Sequence, residues 1–425
     1  MSVKLIWVSF GHLLDNFLLT GTANLSFNCS HSSYIKRKVR VHGDYVVIFN
    51  AFNSQRCPPC DREVTITTHG GLGYLRYVPI LAENWQAAIS FALYVPNEAA
   101  FQIATSIMAT MQTCSSHANN FATVHFYFPK AEANDSAVLE RRLEVLKETR
   151  MAVDEQEYTE ECGVSSTPWT KHVIPQSALS KQVPYPINAG RNIAIEGATT
   201  MYILPSDVKL VPGPRFLSHK FLRMIRERRD LKLEERPDVA FALHLFEVDD
   251  KTGDFPMPDK RILMENIRTR RAFRFHIKGC KECYTMPFAD EWERGLGPDG
   301  SPVEPRDPTS DLPVRIHSKA TREGTFAAWD PIVIAMKSAF PRYDERLTWQ
   351  GKRDRKPQMF EMCAQNFTFA ILEEGFLVHQ PGVKPLRPQP EWRKAVISRQ
   401  SALIDGQIRA ELVAKYPDAA DRCSL

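Results

Sequence analysis

The segment from Tyr185 to Pro212 carries the residues whose types and spacing are best suited to chemistry. Its apolar stretch Met201–Leu204 is typical of a strand, and Asp207 follows the end of that stretch. In open α/β sheets, ligands bind at the carboxyl ends of the strands. A carboxylate there can hold Mg²⁺ or Mn²⁺ together with phosphate oxygens. Lys209, two residues further on, cannot ligate a metal ion in the same way.

Alternating strand and helix patterns lead up to this candidate site. VTITTHG, from Val64, predicts a strand that ends in a glycine turn. The other predicted strands are 89–95, 122–128, 239–248 and 376–379, and the predicted helices are 81–88, 101–114, 135–150, 215–233 and 391–415. Strands that alternate with helices favour an α/β fold with a mostly parallel sheet. Residues 1–60 are interpreted as a poorly packed lead-in, and 154–161 and 286–325 as loops.

Composition narrows the class of protein. The 425 residues, 43% of them apolar, are enough for a sizeable core in one large domain or two smaller ones. The formal net charge is only +4, with acidic residues interspersed among the basic ones, so no nucleic-acid partner is expected.

Nine cysteines include two CxxC pairs, Cys57/Cys60 and Cys280/Cys283. The pairs lie too far apart in the chain for the spacing of a zinc ribbon, and no compact βαβ context supports a thioredoxin-like centre. Disulfides or free thiols are therefore favoured over a zinc or redox site.

The sequence excludes several familiar enzyme classes. HGGLG, from His69, is similar to the oxyanion loop of lipases, but the chain has no GxSxG nucleophile motif. It also lacks the GxGxxG and GxxxxGK[ST] patterns that bind dinucleotides and nucleotide phosphates. Hydrolase, Rossmann dehydrogenase and P-loop functions are therefore not expected.

The secretory pathway is the expected location. Four Asn-x-Ser/Thr sequons occur, at Asn24, Asn28, Asn134 and Asn366. Residues 5–19 are largely apolar but include a histidine and an aspartate, so they are interpreted as a degraded signal anchor or as a sign that the true N-terminus is missing.

Four segments together resemble the β-1,4-glucuronyltransferase family, which includes the second catalytic domain of the dystroglycan-modifying polymerase LARGE. They are VTITTHG, AENWQAAISFALYVP, YPINAGRNIA…TTMYILPSDVKLVP and YDERLTWQGKRDRKPQMFEMCAQNFTFAILEEGFLVHQPGVK. The resemblance spans roughly residues 63–385 in the expected order, which makes chance similarity of one motif a poor explanation.

The resemblance implies a GT-A-type nucleotide-diphospho-sugar transferase fold, with a mostly parallel mixed sheet flanked by helices. The transferase domain would be 61–385, with a nucleotide-sugar half (61–212) and an acceptor half (213–385), followed by a proline-rich linker and helix (386–425). It further implies a Golgi-lumenal enzyme that uses UDP-glucuronic acid and Mn²⁺ and inverts the sugar carbon during transfer to a xylose-type acceptor.

The site residues follow from matching positions in the family motif. Asp207 matches the first acid of the metal motif, and His379 matches its distal histidine, so both are expected to bind Mn²⁺. Lys209 lies where the family has its second acid and is counted with the donor site. The other expected donor-binding residues are Thr67, Thr68, Asn188, Arg191 and Asn192.

The simpler alternatives to these roles are turn and helix caps for Asp207, Arg191 and Asn192, and ordinary strand positions for Thr67 and Thr68. The catalytic base is predicted to be Glu361 or Asp354. Apolar neighbours around Glu361 favour a raised pKa, whereas surface salt bridges are the alternative for the charged run around Asp354.

Lys209 leaves two functions open. Its ammonium repels a cation and so can make the chain a silent relative that binds glycans or a partner glycosyltransferase. Alternatively, it contacts the diphosphate directly in an active transferase. If it instead points away from the site, Asp207, His379 and the UDP oxygens can still hold the ion. A redox or zinc-binding protein is a remote third possibility.

Overall fold

A computed structural model describes residues 36–56, 60–133, 135–155, 162, 185–228, 232, 236–250, 253, 255–276, 279–307, 310–348, 351–382 and 388–425. The predicted anchor, Cys57, most of the acidic run 154–161 and three of the four sequons lie outside these residues. None of the helices in the described part of the chain has both the length and the hydrophobicity that a bilayer-spanning segment needs.

The core of the molecule is a 12-stranded mixed sheet. The strands are β1 (Lys38–His42), β2 (Tyr45–Phe52), β3 (Val64–Gly70), β4 (Ile89–Tyr94), β5 (Ala122–Pro129), β6 (Tyr202–Pro205), β7 (Leu210–Gly213), β8 (Val239–Val248), β9 (Ala272–Arg274), β10 (Ile316–Ala320), β11 (Ile332–Met336) and β12 (Thr368–His379). Their order is β1-β2-β5-β4-β3-β6-β11-β8-β12-β10, with β7 paired to β12 and β9 paired to β8.

Helices flank the sheet. They are α1 (Val78–Trp85), α2 (Glu98–Cys114), α3 (Ser116–Phe121), α4 (Ser136–Glu155), α5 (Ile187–Gly197), α6 (Leu217–Glu227), α7 (Lys260–Arg268), α8 (Lys281–Tyr284), α9 (Ala289–Arg294), α10 (Lys356–Ala364), α11 (Glu391–Leu403) and α12 (Arg409–Lys415). The α/β class expected of a GT-A-type transferase is confirmed.

Parallel pairing dominates the part of the sheet formed by residues 64–205. β3, β4, β5 and β6 form parallel pairs in which β3 lies between β4 and β6. β3 and β4 are buried along their whole length; β4 is the largely apolar run typical of a strand covered on both faces, whereas β3 buries threonines as well. The helix after β4 begins where the Asn97 side chain accepts a hydrogen bond from the Ala100 amide.

Two sequence interpretations are corrected. Residues 36–56 are not a loose lead-in, because β2 pairs antiparallel with β5, β1 pairs antiparallel with β2, and Val46–Phe49 are buried. The predicted loop 286–325 contains α9 and β10. KVRVH is an edge strand in which charged and apolar residues alternate, so it has no apolar run by which it could be recognised in the sequence.

The C-terminal helices pack on α10 rather than projecting from the domain. The predicted helix 391–415 is divided into α11, a π-helical turn at Ile404–Ile408, and α12. Its buried apolar side chains meet Phe360, and the disulfide Cys363–Cys423 links α10 to the end of the chain.

Cysteine pairing within the described residues favours disulfides, as predicted. Cys280 and Cys283 are bonded to each other, so this CxxC pair is not a zinc half-site. Another disulfide joins Cys114 to Cys162.

Candidate functional site

The candidate site lies where β3 and β6 end at the same edge of the sheet. The two strands are parallel neighbours, with Thr67 opposite Pro205, and the Ser206 amide donates to the Thr67 carbonyl at 3.0 Å. This pairing places Asp207 beside the end of β3. The location agrees with the general position of ligand sites in open α/β sheets.

Asp207 presents a carboxylate at this edge, with 56% of its side chain exposed. Its Oδ1 lies 3.7 Å from Nε2 of His69 and 3.9 Å from a guanidinium nitrogen of Arg191. Desolvation favours the neutral acid, but the contacts with His69 and Arg191 outweigh it and hold the pKa of Asp207 well below its ordinary value. Asp207 is therefore negatively charged, and both of these contacts are made by its Oδ1.

His69 is a functional candidate that the sequence did not reveal. It is buried at the end of β3, and its Nδ1 lies 2.9 Å from the Tyr185 hydroxyl. Burial lowers the pKa of His69, which keeps the ring neutral. The HGGLG pattern drew attention to a lipase-like loop, whereas the useful signal was a histidine at the end of the first parallel strand.

Four buried polar atoms at this edge lack a hydrogen-bond partner among the described residues. They are Oγ1 of Thr67, Oγ1 of Thr68, Nε2 of His69 and Oγ of Ser206. Buried polar groups are nearly always paired in folded proteins. The four atoms at one strand edge make this edge a candidate site for a polar ligand.

Arg191 on α5 connects Asp207 to Asp354. One guanidinium nitrogen donates to Asp354 Oδ2 at 2.5 Å and to Asn188 Oδ1 at 2.8 Å. The guanidinium also lies over the Tyr343 ring, 5.0 Å from its centroid. The structure thus brings one predicted donor-binding residue and one predicted base together.

Asn188 and Asn192 use their amides to hold the segment that carries Asp354. Asn188 Nδ2 donates to the carbonyls of Asp344 and Asp354, both at 2.8 Å. Asn192 Nδ2 donates to the Tyr343 carbonyl at 2.9 Å, and its Oδ1 accepts from the Tyr343 amide at 3.0 Å. Both side chains are buried, and these contacts position the loop.

The second predicted base lies elsewhere. Glu361 on α10 pairs with Lys415 of α12 at 2.9 Å. Arg355, in contrast, is a site residue that sequence reasoning missed: its charge helps to lower the pKa of Asp207, and its Nε lies 3.4 Å from Asp330. The only sequence signal was the basic run around Asp354.

Lys209 does not pair with Asp207. Its ammonium lies over two tyrosine rings, 4.9 Å from the centroid of Tyr77 and 5.6 Å from that of Tyr74. Cation–π contacts of this length are favourable and hold the ammonium near the rings. Among the described residues, no ion pair neutralises its charge.

His379 ends β12, where it is paired with Leu210 of β7. Its Nδ1 donates to the Gln380 carbonyl at 2.8 Å, which leaves Nε2 as the lone-pair nitrogen of the neutral ring. Burial lowers the pKa of His379, and the nearby charge of Lys209 acts in the same direction.

These residues do not fit Mn²⁺ well. Mn²⁺ prefers several carboxylate or other oxygen ligands, whereas this edge offers one carboxylate, that of Asp207, and the imidazoles of His69 and His379 beside an ammonium. In the part of the chain that the structure describes, no group of three His, Cys, Asp or Glu side chains is arranged to hold a metal ion.

An α/β sheet with a charged polar edge of this kind is a common ligand-binding architecture among α/β enzymes. Residues 63–417 match the family model described as "Glycosyl-transferase for dystroglycan", and the chain belongs to that family. It is therefore a glycosyltransferase, as the sequence resemblance implied.

Relatives agree with this assignment. The chain is 25% identical over 390 residues to beta-1,4-glucuronyltransferase 1 of Homo sapiens, which covers 90% of this chain and 82% of that protein. The Danio rerio protein of the same name is 22% identical over 383 residues, covering 89% and 80%. Xylosyl- and glucuronyltransferase LARGE2 of Mus musculus is 23% identical over 369 residues, covering 85% of this chain and 41% of its own length.

Proposed function

We propose that the chain transfers glucuronic acid from UDP-glucuronic acid to a xylose-type sugar of a glycan acceptor, with inversion at the anomeric carbon. The observation that carries the proposal is the cluster of partnerless polar atoms at the ends of β3 and β6, next to Asp207 and Arg191. The relatives' names, which include glucuronyltransferase, supply the sugar.

In this proposal, the hydroxyls of Thr67, Thr68 and Ser206 bind the donor nucleotide. Arg191 faces the diphosphate. Asn188 and Asn192 fix the positions of Arg191 and of the segment that carries Asp354. The donor then lies across the sheet edge, with its sugar directed towards the acceptor half. Each hydroxyl gains a partner that it lacks in the free protein.

Asp354 is the proposed general base. Its Oδ2 is held by Arg191, which leaves Oδ1 to take the proton of the acceptor hydroxyl. As the acceptor oxygen bonds to the anomeric carbon, the bond from that carbon to the β-phosphate oxygen breaks, and UDP leaves with the electron pair. Attack from the opposite face produces inversion.

The proposed location is the Golgi lumen, either membrane-anchored or otherwise within the secretory pathway. The disulfides Cys114–Cys162 and Cys363–Cys423 support an oxidising compartment. A glycoprotein or glycan acceptor would be encountered there, as would a partner glycosyltransferase.

A direct test is the release of UDP from UDP-glucuronic acid in the presence of a β-xyloside acceptor, with the product analysed by mass spectrometry. A product heavier than the acceptor by one glucuronic acid residue supports the proposal. Donor binding without product would instead favour the second candidate, a silent relative that binds glycans or a partner transferase, for which Lys209 in the metal motif is the motivating observation.

A further inference from the structure

The charge supplied by a metal in a diphosphate site must come from another source in this protein. The leaving UDP develops negative charge on its β-phosphate oxygen, and a fixed cation next to that oxygen lowers the barrier. Asp207 and His379 alone give a poor Mn²⁺ site, and the Lys209 ammonium opposes a cation beside His379. The question is therefore which groups of the protein face the diphosphate.

We infer that Lys209, together with Arg191, binds the diphosphate of the donor directly, so that donor binding does not require a divalent metal. This inference rests on the proposed function, because it concerns the same donor site. The positive charge of Lys209 would replace that of a metal ion, at the position where the family motif has a second acid.

Lys209 is the better placed of the two cations for this role. The charge of Arg191 is shared with Asp354 at 2.5 Å and Asp207 at 3.9 Å. Among the described residues, Lys209 contacts Tyr74 and Tyr77 and forms no ion pair with a carboxylate. An ammonium has three donors and makes a strong charge-assisted contact with a phosphate oxygen.

The aromatic pair explains why the ammonium stays at the site. Tyr74 and Tyr77 both lie in the 3-10 turn Leu72–Tyr77 that follows β3, and Tyr74 is 41% exposed. Their rings hold the long, flexible side chain of Lys209 near the edge formed by β3 and β6. This arrangement reduces the rotamer entropy that the lysine would lose on binding a phosphate.

Isothermal titration of the protein with UDP tests the inference, once with EDTA and once with MnCl₂. The expected dissociation constants agree to within about threefold in the two buffers, since the cation is part of the protein. For Lys209→Met, the affinity is expected to fall by at least about tenfold in both buffers, as the loss of a charge-assisted hydrogen bond predicts.

Lys209→Asp restores the acid that the family motif has at this position. Its expected behaviour is weak binding of UDP in EDTA and recovery of affinity with Mn²⁺, because a second carboxylate completes an oxygen-rich site. Lys147→Met serves as the matched control: it removes an exposed lysine on α4 and is expected to bind UDP as the unmodified protein does. Thermal unfolding of each variant checks that the fold is retained.

The possible outcomes separate this inference from the proposed function. Binding by the unmodified protein that requires Mn²⁺ overturns the inference and leaves the proposed function standing. Equal binding by the unmodified protein and Lys209→Met overturns it as well. If the unmodified protein binds no UDP in either buffer, the inference is overturned. Recovery of binding in Lys209→Asp with Mn²⁺ would then identify a donor site silenced by the lysine, and no recovery would refute the donor site itself.

Discussion

Two regions of the described structure differ in how their polar side chains are paired: the strand edge near Asp207 and a second region that we call the C-terminal clamp. We use clamp for α11, the turn Ile404–Ile408 and α12, together with residues 346–348 and 351–353, which they hold, and the disulfide Cys363–Cys423. At the edge, buried atoms of Thr67, Thr68 and Ser206 have no partner. In the clamp, Gln400 accepts from the Thr348 amide and donates to the Lys352 carbonyl, both at 2.9 Å.

Ion pairs complete the clamp. Arg353 forms a bidentate ion pair with Asp405, at 2.7 and 2.9 Å, and Arg346 forms one with Glu411, at 2.6 and 3.0 Å. Among the described residues, the edge therefore has polar atoms left unpaired, which makes it the candidate ligand site, whereas the paired groups of the clamp hold the neighbouring loop in position. Substitutions at the two places should therefore change different measurements.

The largest expected effect separates the two predicted bases. Asp354→Asn should lower kcat by at least about a hundredfold, because the amide cannot accept the acceptor proton. Glu361→Gln removes only the ion pair with Lys415 and should leave kcat nearly unchanged. Initial rates of glucuronic acid transfer decide the matter, and a reversed pattern would assign the base to Glu361.

Loss of the clamp's disulfide should affect stability more than chemistry. Replacing Cys363 and Cys423 with alanine is expected to lower the free energy of unfolding by about 2–4 kcal/mol, since the unfolded chain gains freedom. Urea unfolding without reductant measures this loss. A variant with unaltered stability and a large loss of kcat would break the distinction between clamp and edge.

Gly351 gives a finer test of packing in the clamp. A Cβ on this residue would lie 2.2 Å from Cδ of Gln400, so Gly351→Ala must displace a side chain that makes two backbone hydrogen bonds. The expected loss of stability is about 1–2 kcal/mol. The double variant with Gln400→Ala should lose less free energy of unfolding than the two single variants lose together. Additive losses would mean that the new Cβ does not clash with Gln400.

Removal of a buried hydroxyl usually lowers the free energy of unfolding, but Thr67→Val should not. The Thr67 Oγ1 atom is buried without a partner, so its removal should leave the free energy of unfolding unchanged or slightly higher. UDP affinity should fall by about threefold to tenfold, as expected for one lost hydrogen bond. Thermal unfolding and titration on the same samples test both statements, and a destabilised variant would show that the hydroxyl is already satisfied.

The smallest effect concerns pH. The hydrogen bond to Glu345 at 2.7 Å outweighs burial and raises the pKa of His42. The contribution of the His42–Glu345 pair to the free energy of unfolding is therefore fully present below the ordinary pKa of histidine. It is lost as the pH rises through the raised pKa of His42. We expect a loss of about 0.5–1 kcal/mol over that interval. His42→Gln should abolish this step in urea unfolding measured from pH 5.5 to 8.5, and an unchanged step would refute the assignment.

The sequence predicted much of the sheet and the position of the site edge. The strand 239–248 was predicted with its observed boundaries, because it is a continuous apolar run buried on both faces. Asp207 could be placed after an apolar strand by local pattern alone. Strand β1 was missed because its exposed edge carries basic residues between the valines.

The base could not be selected from the sequence. Apolar neighbours suggested burial of Glu361, but the face of α10 that carries it meets Lys415, which is remote in sequence. Asp354 lies in a charged run typical of the surface, yet Arg191 draws it into the site from another part of the chain. Pairings over such separations depend on topology rather than on local pattern.

The joining of the two halves through the sheet has a consequence for turnover. β6, in residues 61–212, pairs antiparallel with β11, in residues 213–385, with Ile203 opposite Ala335 and Tyr202 opposite Met336. A hinge that swung one half away from the other would have to break this pairing at the centre of the sheet. In the proposed reaction, the donor would therefore enter and UDP would leave through movements of the loops at the strand ends, while the paired strands stay in place.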